Sequence, residues 1–233
     1  YEMLRALPEA IAGHERDTAV RVIALTGEGS DSFASGADYT EFAATRGSLH
    51  AATSYGQAVE AAYAAFAATT KPTVARIRGA CIGVGLSLAL CCDLRIAAED
   101  AQFAHPAARF GLGVSWGSMS RLVACVGPGH AAEILLAARR YPAEEALRMG
   151  LVNRVVAAAD LDAEFADYCA GIAAGADLTL AAAKRAIAEA IGDPAARDLK
   201  ALRAMIDTCN ASEDYREGLA AFSAKRAPQF RGR

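Results

Sequence analysis

The chain has 233 residues, of which 54% are hydrophobic and 22% charged, with a formal net charge of −3 at pH 7. That apolar share excludes intrinsic disorder, and 27 acidic against 24 basic residues leave no cationic excess for sequence-independent binding of nucleic acid. The longest apolar run, residues 80–92, carries Ser87 and stops at Asp93, short of the roughly 18 residues a membrane span needs.

Residues 4–12 already read as the middle of a helix, so the chain is expected to begin inside a domain. Tyr1-Glu2-Met3-Leu4 lacks the charged start and apolar stretch of a signal peptide. Residues 20–26 form a β-rich run stopped by Gly27, hence a strand, and residues 28–32 a turn. Tyr55, Val59, Ala62, Tyr63 and Phe66 recur at helical spacing over residues 51–68. Lys71-Pro72 ends that helix, because the residue before proline avoids the α region. Residues 73–78 predict a strand, 79–85 a glycine-rich turn and 86–92 an apolar helix. Short strands are expected at 94–97 and 102–104, helices near 118–126, 130–139 and 143–149, and a last strand at 151–156. Beyond about residue 160 only helical signals remain. Among them Ser212 is an N-cap, Lys225 and Arg226 suit a last turn, and Pro228 a stop.

The six cysteines, at 81, 91, 92, 125, 169 and 209, show no CxxC and no metal-ligand spacing with the four histidines. They read as free thiols among apolar neighbours in a reducing, cytoplasmic setting, with no metal site.

Two stretches carry chemistry. The first is Ala24-Leu25-Thr26-Gly27 followed by Phe33-Ala34-Ser35-Gly36-Ala37-Asp38-Tyr39. The second is Lys71-Pro72-Thr73-Val74-Ala75, then Gly79-Ala80-Cys81-Ile82-Gly83-Val84-Gly85, then Cys92-Asp93-Leu94-Arg95. Gly83 and Gly85 flank the start of a buried helix, where free N–H groups and the helix dipole favour negative charge. As a dinucleotide fingerprint the stretch fails, since no third glycine follows at the needed spacing.

These motifs resemble the crotonase superfamily, the enoyl-CoA hydratase/isomerase family. The likeness runs from Leu4 to Phe230 and includes Arg121-Leu122-Val123, Ala146-Leu147-Arg148-Met149-Gly150-Leu151-Val152 and Glu217-Gly218-Leu219-Ala220-Ala221-Phe222. It implies an α/β fold: a crotonase-type spiral of ββα turns over residues 1–160, and a helical C-terminal trimerisation region over 161–233. The family's first strand and the loop after it are not matched. The resemblance also implies a homotrimer or dimer of trimers, acyl-CoA substrates, no permanently bound cofactor beyond the coenzyme A of the substrate, and no nucleic-acid or membrane partner.

By motif position, the resemblance makes the backbone N–H groups of Ala37 and Val84 the oxyanion hole for a thioester carbonyl. It assigns Ser35, Ala37, Asp38, Tyr39 and Thr40 to the coenzyme A side. Asp38 is further expected to cap the loop or helix behind the first donor. Phe222 and Lys225, at i and i+3 on one helix face, are expected against the coenzyme A of an adjacent subunit. Family hydratases use two glutamates; at those positions stand Ser87 and Ala107, and Ser115 occupies the position of an isomerase acid. Ser87, His105 and Ser115 are therefore the candidate replacements, Trp116 a candidate pocket wall, and Asp93 and Arg95 structural. Lyase, decarboxylase, hydrolase or isomerase chemistry is expected rather than standard hydration. The alternative is a catalytically silent acyl-CoA-binding protein. A serine peptidase using Ser87 would need a triad that the sequence does not supply.

Overall fold

A computed structural model describes residues 1–29, 31–38 and 48–232. Among the described residues, eight strands form two four-stranded sheets. The first joins β1 (Ile23–Thr26), β3 (Thr73–Ile77), β5 (Leu94–Ala98) and β8 (Arg154–Val156) in that order, all parallel. The second joins β2 (Ser32–Ala34), β4 (Ala80–Ile82), β6 (Gln102–Ala104) and β7 (Tyr141–Pro142), with only β7 antiparallel to its neighbour. The first three turns of the chain each give one strand to each sheet and then pass through helix or loop, which is the expected spiral. Parallel strands covered on both faces are apolar throughout: Val74, Ala75 and Ile77 on β3, and Ile96, Ala97 and Ala98 on β5, are fully buried.

Helices α1 (Glu2–Arg16) and α2 (Leu49–Ala68) pack together, with Tyr1 stacked on Tyr55. Next come α3 (Val84–Ala89), α4 (Trp116–Ala132) and α5 (Ala143–Arg148), then α6 (Leu161–Ala173), α7 (Asp177–Ile191), α8 (Leu199–Ala211) and α9 (Glu213–Ser223). Described strands all lie before residue 157, and helices alone follow. No described helix is long and apolar enough to cross a membrane.

Several expectations change in detail. Ser32 opens β2 rather than closing a turn, and the glycine-rich stretch contains β4 before it turns. The apolar helix starts at Val84, two residues early, because Gly83 acts as its N-cap. The two helices expected around residue 128 are both present within 116–132, separated at Gly127, whose φ 75° and ψ 166° are not helical, and the second continues into a π turn over Glu133–Ala137. The last strand begins only at Arg154.

Asp93 and Arg95 are structural, as expected. The Asp93 carboxylate accepts hydrogen bonds from Thr73 N–H and hydroxyl at 2.7 and 2.8 Å and pairs with Lys184 of α7 at 2.9 Å. The buried Arg95 guanidinium donates to the carbonyls of Leu151 and Cys92 at 2.7 and 2.8 Å. All six cysteines are free. Burial, the largest cause in each case, raises the thiol pKa of Cys81 and Cys92 and pushes Cys91 up to about 12, so these are inert thiols.

Candidate active site

The chemistry-bearing stretches meet at a cavity of about 330 Å³. One wall is main chain. Strand β4 ends at Ile82, and Gly83 takes φ 57°, ψ −119° to turn the chain into α3. Its N–H donates to the Ala104 carbonyl of β6 at 2.8 Å, which pins the turn to the sheet. Glycine supplies that left-handed backbone, so Val84 opens the helix with ordinary helical geometry and valine costs nothing there. The facing loop after β2 is held close by Gly85. A Cβ on Gly85 would lie 2.6 Å from Ala34 Cβ and 2.7 Å from the Ala34 carbonyl oxygen. Ala37 and Val84 both line the cavity, and among the described residues neither N–H has a hydrogen-bond partner. Two free N–H groups at one cavity, one of them at a helix N-terminus, suit an oxygen that gains negative charge.

The other wall is side chain. Ser87, one turn into α3, and Ala107, in the 3-10 turn Pro106–Phe110, both line the cavity. The Ser87 hydroxyl sits 2.5 Å from that of Ser118 in α4. The Tyr63 phenol of α2 interacts with both, and burial, outweighing their lowering effect, pushes it up to about 12. All three residues are buried. The partners of Ser87 are therefore hydroxyls, not the imidazole a serine nucleophile requires. Ser115 is the N-cap of α4, its Oγ accepting from Ser118 N–H at 3.3 Å, and it also borders the cavity. His105, cap of the 3-10 turn, lines the cavity too. Its Nδ1 is buried, with no partner beyond its own main chain, and burial lowers its pKa, so the imidazole is neutral at pH 7.

The sequence profile of the enoyl-CoA hydratase/isomerase family matches residues 1–233. The chain belongs to that family. A crotonyl-CoA hydratase of Syntrophomonas wolfei is 32% identical over 229 residues, 98% of this chain and 87% of that protein. A probable enoyl-CoA hydratase of Mycobacterium tuberculosis is 36% identical over 217 residues, 93% and 83% of the two chains. The crystal structure of an enoyl-CoA hydratase/carnithine racemase from Magnetospirillum magneticum superposes with a TM-score of 0.92 at 37% identity, covering 100% of this chain and 86% of that one.

Within the enoyl-CoA hydratase/isomerase fold, the structure brings Ala37, Val84, Ser87, His105 and Ser115 to one cavity. Ser35 and Asp38 lie in the same loop as Ala37 but not among the lining residues, while Tyr39 and Thr40 fall outside the described residues. Trp116 is not a pocket wall: it is 82% exposed at the first turn of α4, and Phe110 and Tyr55 supply the cavity's aromatic surface instead. Lys225 does not share a helix face with Phe222. Helix α9 ends at Ser223, and Lys225 takes φ 52° in a left-handed cap closed by a hydrogen bond from Arg226 N–H to the Ala221 carbonyl. Arg226 likewise lies past the helix, paired with Glu217. Sequence reasoning missed Glu60, Tyr63 and Ser118 as cavity residues. Tyr63 and Glu60 lie three apart on α2, a spacing that could have marked a shared face.

Proposed function

We propose that the chain binds acyl-CoA thioesters and stabilises the enolate of the thioester through the Ala37 and Val84 N–H groups, in a reaction other than two-carboxylate hydration. The observation that carries the reading is one cavity bordered by both free N–H groups and by Ser87 and Ala107, the two residues that by motif position replace the hydratase glutamates. Each such donor contributes roughly 3–4 kcal/mol of transition-state stabilisation. Coenzyme A enters as part of the substrate. The apolar lining from Tyr55, Val59, Ile82, Leu112 and Val114 suits a hydrocarbon acyl chain. Lyase, decarboxylase, hydrolase and isomerase chemistry all pass through such an oxyanion. Calorimetric titration with acetyl-CoA and butyryl-CoA tests binding; absence of heat and of thermal shift at millimolar ligand would refute the reading.

A second reading, acyl-CoA binding without turnover, is favoured by the tie of the Ser87 hydroxyl to Ser118 and Tyr63. A thioester panel followed by mass spectrometry separates the two. We also propose a trimer or dimer of trimers. Leu199, Leu219 and Phe222 on α8 and α9 are 60, 54 and 86% exposed, an apolar surface that ring closure would cover. In such an assembly Phe222 and Lys225 would be available to coenzyme A on a neighbouring subunit. A stable monomer at micromolar concentration in sedimentation would refute it.

A further inference from the structure

Glu60 is the one carboxylate among the described residues lining the cavity, and the reading above gives it no part. It has neither a hydrogen-bond nor an ion-pair partner among the described residues. It comes from α2 on the face that carries Tyr63, and it remains exposed. Its place depends on Gly117, the second residue of α4. A Cβ on Gly117 would stand 2.6 Å from Glu60 Oε2 and 3.1 Å from Oε1. Glycine leaves that space open, and the carboxylate rests against the first turn of α4, its positive end. Arg121 frames the same spot: its guanidinium lies 5.2 Å from the Tyr63 ring centre and donates to the Gly117 carbonyl at 2.7 Å.

We propose that Glu60 is the proton-transferring carboxylate of this site, acting on acyl-CoA thioesters that carry an α-hydrogen. The Cα–H bond breaks and its proton passes to the Glu60 carboxylate. The electron pair moves into the Cα–C bond while the carbonyl π pair moves onto oxygen, at the Ala37 and Val84 N–H groups. Return of the proton from Glu60 to carbon restores a neutral thioester, so charge and atoms balance without any further reactant. The inference rests on the thioester-binding reading. It locates the acid–base group on α2, on an element other than those that carry Ser87 and Ala107.

The test is hydrogen exchange at C2 of butyryl-CoA in D2O, read by mass spectrometry, alongside calorimetric affinity for the same ligand. Wild type is expected to incorporate deuterium. Glu60→Gln is expected to slow exchange at least about a hundredfold, with affinity within about threefold of wild type. Glu60→Ala should regain part of the rate when formate is added, which a merely structural role would not produce. Gly117→Ala should displace the carboxylate and slow exchange at an unchanged melting temperature. Undiminished exchange in Glu60→Gln overturns the inference. Binding by wild type without any exchange also overturns it and leaves the thioester-binding reading standing. Failure of wild type to bind butyryl-CoA overturns both.

Discussion

The two walls of the cavity are built on different principles. The wall holding Ala37 and Val84 offers main-chain N–H groups, positioned by the turn at Gly83 and the close approach at Gly85. The wall holding Ser87, Ala107, Ser118 and Tyr63 offers side chains, three of them buried hydroxyls tied to one another. A main-chain site survives exchange of its own side chains, since valine presents the same N–H as glycine. A side-chain site does not: replacing a carboxylate by a hydroxyl or a methyl removes a proton carrier. The first wall therefore tolerates substitution of its own side chains, and the second does not.

The sharpest way to break that division is to place carboxylates on the side-chain wall. Ser87→Glu combined with Ala107→Glu is expected to raise hydration of crotonyl-CoA about a hundredfold over wild type, each single change doing less because the pair acts on one water. The Tyr63 and Ser118 hydroxyls that now meet Ser87 would donate to the new carboxylate and offset its burial. Loss of enoyl absorbance measures it. Efficient hydration by wild type would show instead that the present side-chain wall already activates water. A smaller effect is expected on the main-chain wall. Gly85→Val would drive side-chain atoms into Ala34, at an overpacking cost of about 2 kcal/mol. Because Ala37 follows in the same loop, acyl-CoA affinity should fall about tenfold, by calorimetry, with a lowered melting temperature.

The smallest effect concerns His105. Burial holds its pKa below the ordinary 6.5, so between the two values the unfolded chain binds a proton that the folded one refuses. Stability should therefore be level above about pH 6.5 and decline as pH falls below it. His105→Gln should flatten that decline. Urea midpoints at pH 7.5 and 5.5 decide the matter; equal midpoints for wild type would mean that the imidazole is solvated.

The short strands were legible because apolar runs stopped by glycine report backbone geometry directly. The spiral, and the places of Ala37 and Val84, were legible only through motifs that resemble the family's. Tyr63 was read only as a core residue, because helical periodicity identifies a buried face without telling whether it borders packed side chains or a cavity. Glu60 carried no signal at all: a lone glutamate on a helix reads as solvated, and its link to Gly117 joins segments far apart in the chain. Trp116 was placed at the pocket by the loop it shares with Ser115, but it opens α4 and its side chain is exposed. The error at Lys225 came from extending helical spacing past a left-handed cap that glycine usually marks and lysine here fills.

The ties between the spiral and α7 also set an order of events in folding. Lys184 bonds to the Lys71 carbonyl and to Asp93, and Arg21 pairs with Asp177, the first residue of α7, at 2.7 Å. These partners leave the ribosome late, so the opening of β1 and the entry to β3 must wait for a helix not yet made. Closing loops of that length is slow relative to local pairing. These ties therefore belong to the last contacts that the first sheet can gain during synthesis, and until then its strands have only their own ladder to hold them.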